Sequence, residues 1–328
     1  MKNKLLAGII SLSLVFSMVA CRGKTENLIN NPSGNNIENN KEEQAPKDKD
    51  TENIEVSNKD NQLENKEDKE KEDKNKEVVS SNKNDNKSDI DNIKSLNLTD
   101  REWFFIPNTK GNQPDEPKEV LDIIKNKDAY YVGSKDEKVL YLTFDEGYEN
   151  GYTTKILDIL KENNVKAAFF VTEPYIRANK ELIKRMVQEG HLVCNHSKRH
   201  PSMAKLAKSN KNEFNNEILS TEKAFEQVAG KKMDKFFRPP MGAYNELSLY
   251  YTKKLGYKTV FWSVAYRDYE VDDQPSLEEA KTILLNRTHN GAVILLHAIS
   301  KTNTEVLDYL IHEWRNRGYD FKSLTNLS

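Results

Sequence analysis

Seven short runs in the carboxyl-terminal part of the chain are apolar at successive positions: KVLYLTF, AAFFV, HLVCN, KFF, TVFWSV, AVILL and a weaker closing YDFKSL. Their length and their β-branched and aromatic content predict strands. Between them the apolar spacing changes to a helical period. TTKILDILKENN places Ile156, Leu157 and Leu160 on one stripe, and KELIKRMVQEG does the same with Leu182, Ile183, Met186 and Val187 before Gly190. NTEVLDYLIHEWRNRG is a third such segment, ending at Gly318. Glycine past the last periodic residue is a helix stop signal. Strands that are apolar on both faces and alternate with helices predict a parallel sheet covered by helices, either a barrel or an open doubly wound sheet.

Composition restricts this pattern to part of the 328 residues. No Phe, Tyr or Trp lies between Cys21 and Glu102, and stretches such as NKEDKEKEDKNKE are almost wholly Asn, Lys, Glu and Asp. Such a segment buries too little apolar surface to offset its ordering entropy, and it carries no apolar heptad for a coiled coil. Residues 21–96 are therefore expected to be a disordered polar linker, and residues 97–328 one globular domain. The formal net charge of −2 offers no basic face for nucleic acid.

At the amino terminus Lys2 and Lys4 precede the apolar run LLAGIISLSLVFSMVA, and Cys21 comes directly after it. Residues 1–20 have the layout of a secretory signal and are short for a membrane span. MVAC resembles a bacterial lipoprotein site, with Met18 where Leu is usual. It implies lipid on Cys21, a location on the outer face of the cytoplasmic membrane and a linker that acts as a tether, with simple secretion as the alternative. The only other cysteine, Cys194, reads as a small buried apolar residue.

The residues at the carboxyl end of each strand suggest the chemistry. KVLYLTF runs into Asp145 and Glu146, HLVCN into His196 and His200, and KFF into Arg238-Pro239-Pro240. Asp268 comes shortly after TVFWSV, and His297 directly after AVILL. Titratable residues after parallel strands collect where barrel active sites are built. Each residue has a plainer reading as well. Asp145 before a glycine is a turn former, Arg238 a charge at a stiff bend, His297 a core histidine, and Asp268 a solvated acid. Functionally, His196 and His200 at i, i+4 on a helical turn would present both imidazoles to one metal ion. A carboxylate at Asp145, held by an arginine fork from Arg238, would be an oriented base. An imidazole at His297, beside Asp268, would be an acid near neutral pH.

The segments TFDEGYENG, NHSKRHP, RPPMG, FWSVAYRDY and ILLHAIS, in this order, resemble the five motifs of the polysaccharide deacetylases, carbohydrate esterase family 4. GYENGYT, FWSVAY, LLHAIS and the closing GYDFKSL are similar more narrowly to the family's delta-lactam-biosynthetic branch. The resemblance implies a distorted (β/α)7 barrel of NodB type, preceded by the signal segment and linker. It also implies removal of acetyl from an N-acetylated sugar with the help of a divalent metal, zinc. Carried over by motif, Asp145 is the base, His297 the acid, and His196 and His200 the metal ligands. Arg238 tethers Asp145, and Asp268 tunes His297. Most of the family has Asp, a third metal ligand, where this chain has Glu146, so that ligand is in doubt. Tyr244, Trp262, Tyr266 and Arg267 are expected along the sugar-binding groove, Trp262 having a core position as its alternative and Arg267 being a candidate partner for a muramyl lactyl carboxylate. The implied substrate is N-acetylmuramic acid in peptidoglycan glycan strands, freed of peptide by an N-acetylmuramoyl-L-alanine amidase, on the way to the muramic delta-lactam of spore cortex. The rivals are a deacetylase of N-acetylglucosamine and a non-catalytic glycan-binding protein.

Overall fold

The computed structural model describes residues 92–327. The expected signal segment, Cys21 and the expected linker as far as residue 91 lie outside the described residues. The end of that linker belongs to the fold: Ile93 and Leu96 pack against a cluster that includes Met203, Phe214 and Leu247.

The seven apolar runs form β3 (Val139–Glu146), β4 (Ala168–Val171), β5 (Leu192–Asn195), β6 (Phe236–Phe237), β8 (Lys258–Val260), β9 (Ala292–His297) and β10 (Asp320–Phe321). One more strand, β2 (Ala129–Tyr130), joins them. The sheet order is β10-β3-β4-β5-β6-β8-β2, with β9 also paired to β3, and every pairing is parallel. The curled sheet approaches closure where Val132 bridges Ala292 and Val264 bridges Ile294. The parallel, curled arrangement agrees with the expected barrel, and two-residue strands such as β6 and β10 account for its distortion.

Alternation along the strands explains why both faces are apolar. Val139, Tyr141, Ala168, Phe170, Cys194, Phe236, Val260 and Val293 fill the barrel interior. Their neighbours Leu140, Leu142, Phe144, Phe169, Val171 and Val193 pack outward with the helices. The predicted helical segments are α2 (Thr153–Glu162), α4 (Lys180–Gln188) and α9 (Lys301–Asn316). In α9 the Ser300 side chain accepts the Asn303 N–H, and Val306, Leu307, Leu310, Ile311 and Trp314 form the buried stripe. Each fully buried aliphatic of this kind contributes about 1.5–3 kcal/mol. The remaining helices are α1 (Lys118–Lys125), α3 (Glu173–Ala178), α5 (Met203–Ser209), α6 (Lys211–Ala229), α7 (Glu246–Lys254) and α8 (Leu277–Arg287).

Outside the main sheet, β1 (Arg101–Glu102) pairs antiparallel with β7 (Ala243–Tyr244). The ribbon brings the start of the domain over the carboxyl ends of the barrel strands. Gly242, at φ 65°, lies under it: a Cβ there would come within 3.0 Å of both Trp103 and Trp262. Only glycine meets both the backbone and the space requirement.

Candidate active site

Asp145 is the last interior-facing residue of β3, and the sheet register sets it directly beside His297 at the end of β9. Two residues lower on β3, Thr143 is enclosed in the barrel and donates its hydroxyl to Ile294 O at 2.7 Å, while Leu295 on β9 forms part of the cavity floor. The two titratable groups are therefore at the level that opens to a mouth.

Arg238 comes directly after β6 and is fully buried. Its Nη1 donates to Asp145 Oδ1 at 2.7 Å, its Nε to Val260 O at 3.0 Å and its Nη2 to Phe261 O at 3.3 Å. The guanidinium also lies 4.2 Å from the centre of the Phe170 ring. A fork fixed at all three nitrogens fixes the carboxylate in turn. Burial pushes Asp145 up, but the charges of Arg238, then His196 and His297, outweigh it and hold the carboxyl below its ordinary value. Asp145 is thus an ionised, oriented acceptor, as a general base must be.

His196 has its Nδ1 2.9 Å from the carbonyl of Arg238. A carbonyl only accepts, so Nδ1 carries the proton and the Nε2 lone pair is left toward Asp145 Oδ2, 3.6 Å away. Burial, reinforced by His200, pushes His196 down to about 4, and burial also lowers His200. Both rings are therefore neutral near pH 7, the ligating form. Their centres are 4.9 Å apart. They do not share a helical turn, as the spacing predicted. Ser197 (φ 71°) and His200 (φ 60°) adopt left-handed backbone in a tight loop, and α5 begins only at Met203. The reason is local: Pro201 disfavours the right-handed helical conformation at His200.

His297 donates from Nδ1 to Asp268 Oδ1 at 2.8 Å, and its backbone N–H donates to Asp268 Oδ2 at 2.7 Å. Asn303, on α9, bonds Asp268 Oδ2 and the carbonyl of His297. Burial alone would lower His297, but the charge and hydrogen bond of Asp268 reverse this and raise it above its ordinary value. With Nδ1–H committed to Asp268, the proton on Nε2 is the one available for transfer.

Glu146 occupies the opposite face of β3 because successive strand side chains alternate. It is buried near Thr153, whose hydroxyl is 3.4 Å from Oε1, and that hydroxyl also bonds Glu149. Burial first, then the nearby Glu149 and Asp145, raises its carboxyl well above the ordinary value, which favours the protonated form. Among the described residues no group of three or more His, Cys, Asp or Glu side chains converges on one ion position. Two neutral imidazoles beside the Asp145 carboxylate nevertheless fit a divalent cation in donor chemistry, with the histidine pair as its protein ligands. A calorimetric titration with zinc checks this. His196→Ala and His200→Ala should each weaken binding by more than the roughly 10–100-fold typical of losing an outer partner. Glu146→Gln should weaken it by less; equal losses would make Glu146 a ligand.

These groups open into a cavity of about 780 Å³ lined by Asp145, His196, His200 and His297 together with Trp262, Tyr266 and Arg267. Three of the expected groove residues are thus in place. Trp262, partly buried, both lines the cavity and accepts the Trp103 indole N–H through its carbonyl at 2.9 Å. Arg267 is ion-paired with Asp273 at 2.6 Å. Tyr244 is not at the cavity: β1 turns it into a core with Trp103 and Phe261, where it is fully buried. Sequence reasoning did not find Phe104, Phe105 and Pro107, which the β1–β7 ribbon carries to the cavity wall, nor Tyr148, Tyr269 and Arg287. The segment WFFIPN has no strand or helix period. Its density of aromatics after an aromatic-free stretch was the one available signal.

Known proteins are similar to this chain across the domain that carries the site. A family model described as polysaccharide deacetylase matches residues 132–260. A Bacillus subtilis protein named peptidoglycan-N-acetylmuramic acid deacetylase PdaA is 40% identical over 225 residues, covering 69% of this chain and 84% of its own length. The solved structure of Bacillus subtilis PdaA, described as a family 4 carbohydrate esterase, superposes with a TM-score of 0.68 at 39% identity, covering 71% of this chain and 98% of that one. A Listeria monocytogenes protein named peptidoglycan-N-acetylglucosamine deacetylase PgdA is 33% identical, covering 72% of this chain and 53% of its own length.

Proposed function

The chain belongs to the polysaccharide deacetylase family, hydrolases of carbohydrate esterase family 4, and from that premise we propose that it removes the acetyl group from N-acetylmuramic acid in peptidoglycan. The observation that carries the chemistry is the facing, on paired strands at the floor of one cavity, of Asp145, whose carboxylate form Arg238 favours, and His297, whose imidazolium form Asp268 favours. The relative named for N-acetylmuramic acid supports the choice of sugar.

The reaction needs a nucleophilic water, a stabilised oxyanion and a protonated leaving nitrogen. Asp145 accepts the proton of the water as its oxygen bonds to the acetyl carbon. Arg238 keeps the accepting oxygen in place throughout. A divalent cation held by His196 and His200, which we take to be zinc, would supply polarisation of the acetyl carbonyl and a lowered pKa for water. For the developing oxyanion, Met241 lies on the cavity wall in left-handed backbone (φ 57°). The neighbouring Gly242 and Ala243 N–H groups are bonded to Pro239 and Pro240 carbonyls, so Met241 is the backbone donor those turn bonds leave for substrate. His297 passes its Nε2 proton to the sugar nitrogen as the C–N bond breaks. Acetate and the free amine leave.

This assignment fixes a pH dependence. The acid must be protonated, and His297 is held above the ordinary histidine value of 6.5. The alkaline limb of kcat/KM should therefore lie above that value, and Asp268→Asn should move it to lower pH. The stability sign agrees. A raised folded-state value means that the His297–Asp268 pair contributes fully below the ordinary value and fades as pH rises through the raised one. A limb that stays in place in Asp268→Asn removes His297 as the acid.

The muramyl reading is tested on glycan strands. Purified protein should deacetylate strands stripped of peptide by an amidase faster than chito-oligosaccharides. The reverse preference favours N-acetylglucosamine, the substrate named for the Listeria relative. The freed amine is positioned to close on the lactyl carboxyl as the delta-lactam of spore cortex. We place the protein outside the cytoplasmic membrane, anchored by lipid on Cys21. Its loss from the membrane fraction in Cys21→Ser is the check.

A further inference from the structure

Three arginines stand at or beside the cavity, and two have carboxylate partners. Arg238 holds Asp145 at 2.7 Å, and Arg267 pairs with Asp273 at 2.6 Å on the solvent side. Arg287, the last residue of α8, is different. It lines the cavity with His297, Leu295 and Tyr266, is half-buried, and donates from Nη1 to the carbonyl of Ala265. No carboxylate among the described residues pairs with it, and among residues lining the cavity Asp145 is the only acid, already bound to Arg238. Burial lowers the Arg287 guanidinium with no opposing charge to raise it. A cation partly removed from water and left without a counter-ion is costly, and an anion arriving in the cavity offsets that cost. A guanidinium has five N–H donors, so a bond to Ala265 leaves a fork free for a carboxylate.

We propose that Arg287 is the specificity residue of this enzyme, receiving a carboxylate carried by the substrate sugar beside the acetamido group. The proposal rests on the muramyl reading, since a lactyl ether at the ring carbon next to the acetamido carbon places an acid within a few bonds of the reacting amide, whereas N-acetylglucosamine has none. Nothing in the sequence hints at this role, because Arg287 sits at a helix end, where a basic residue is ordinary. The competing role is structural: Arg287 could act only as a strut that holds Ala265 and the adjoining Tyr266-Arg267-Asp268 in place.

The test compares one substrate in two forms: peptide-stripped glycan strands with free muramyl carboxylates, and the same strands methyl-esterified. Wild type should prefer the free acid by roughly 10- to 100-fold in kcat/KM, the range for a hydrogen-bonded ion pair. In Arg287→Gln that ratio should fall toward one, chiefly through KM. Arg287→Lys should recover part of it, because lysine supplies the charge without the fork. Arg287→Gln with the wild-type ratio overturns the assignment and leaves the muramyl reading intact. An equal loss on both strand forms also overturns it, in favour of the strut. Wild type that prefers chito-oligosaccharides to either strand form removes the muramyl reading and this inference with it.

Discussion

Asp145→Asn should lower kcat by about 10²–10⁴-fold with little change in the fold. The amide is nearly the same size, and its oxygen can still accept from Arg238 Nη1, so the contact at 2.7 Å has a replacement. What is lost is the capacity to take a proton. The carboxylate in the wild-type protein is kept ionised despite being almost wholly buried, because Arg238, His196 and His297 surround it. Among the described residues no other carboxylate lines the cavity to substitute for it: Glu146, the adjacent acid, is on the far side of β3. Acetate release is the measurement, with circular dichroism to verify folding. A folded variant that releases acetate at the wild-type rate would remove Asp145 from the mechanism.

Arg238→Met should be the most destabilising single change at the site. It leaves a buried carboxylate with a neutral imidazole as its nearest neighbour and takes donors from Val260 O and Phe261 O. Breaking one side of a buried ion pair costs roughly 3–5 kcal/mol. For a domain of this size that corresponds to a fall in Tm of roughly 6–20 °C. The pH dependence gives a second check. In wild type the depressed Asp145 contributes stability above its unfolded value, lost as pH falls through the folded one. Without Arg238, burial acts on Asp145 with less opposition, its folded value rises, and protonation then relieves the variant. The gap in Tm between wild type and Arg238→Met should therefore narrow as pH falls below the ordinary carboxylate range. A gap that is constant with pH would mean that Arg238 acts through packing on Phe170 and not through charge.

The strands of this fold were legible because parallel strands are buried on both faces, and unbroken apolar runs such as AVILL have few other uses. The same exposure of strand ends made Asp145, His196, Arg238 and His297 visible as polar residues that interrupt apolar runs. Four things were hidden. Strands of two residues, such as β1, β2 and β7, are too short to show a period. The His196–His200 spacing suggested a helix, but proximity arises instead from two left-handed residues before Pro201. Asn303 orders the Asp268–His297 pair from α9 without being titratable, so a search for ionisable groups passed over it. The direction of Glu146 is set by strand alternation, yet two adjacent acids at a strand end invite the assumption that both face the substrate.

The ribbon of β1 and β7 has an outcome for how this enzyme can change. The catalytic groups sit on strands locked together by register, so that shifting one displaces all the rest. The wall formed by Phe104, Phe105 and Pro107 is attached through the pairs Arg101 with Tyr244 and Glu102 with Ala243 and through the buried Trp103, whose indole bonds Trp262 O. That wall also lies ahead of residue 132, where the match to the polysaccharide deacetylase family model begins. Mutation, insertion or exchange there can reshape the groove while leaving the reacting atoms undisturbed. A fragment trimmed to the recognisable family segment would lose this wall at one end and Asp268 and His297 at the other. The aromatic wall of the groove and the reacting groups are thus inherited on separate pieces of chain, one replaceable and one not.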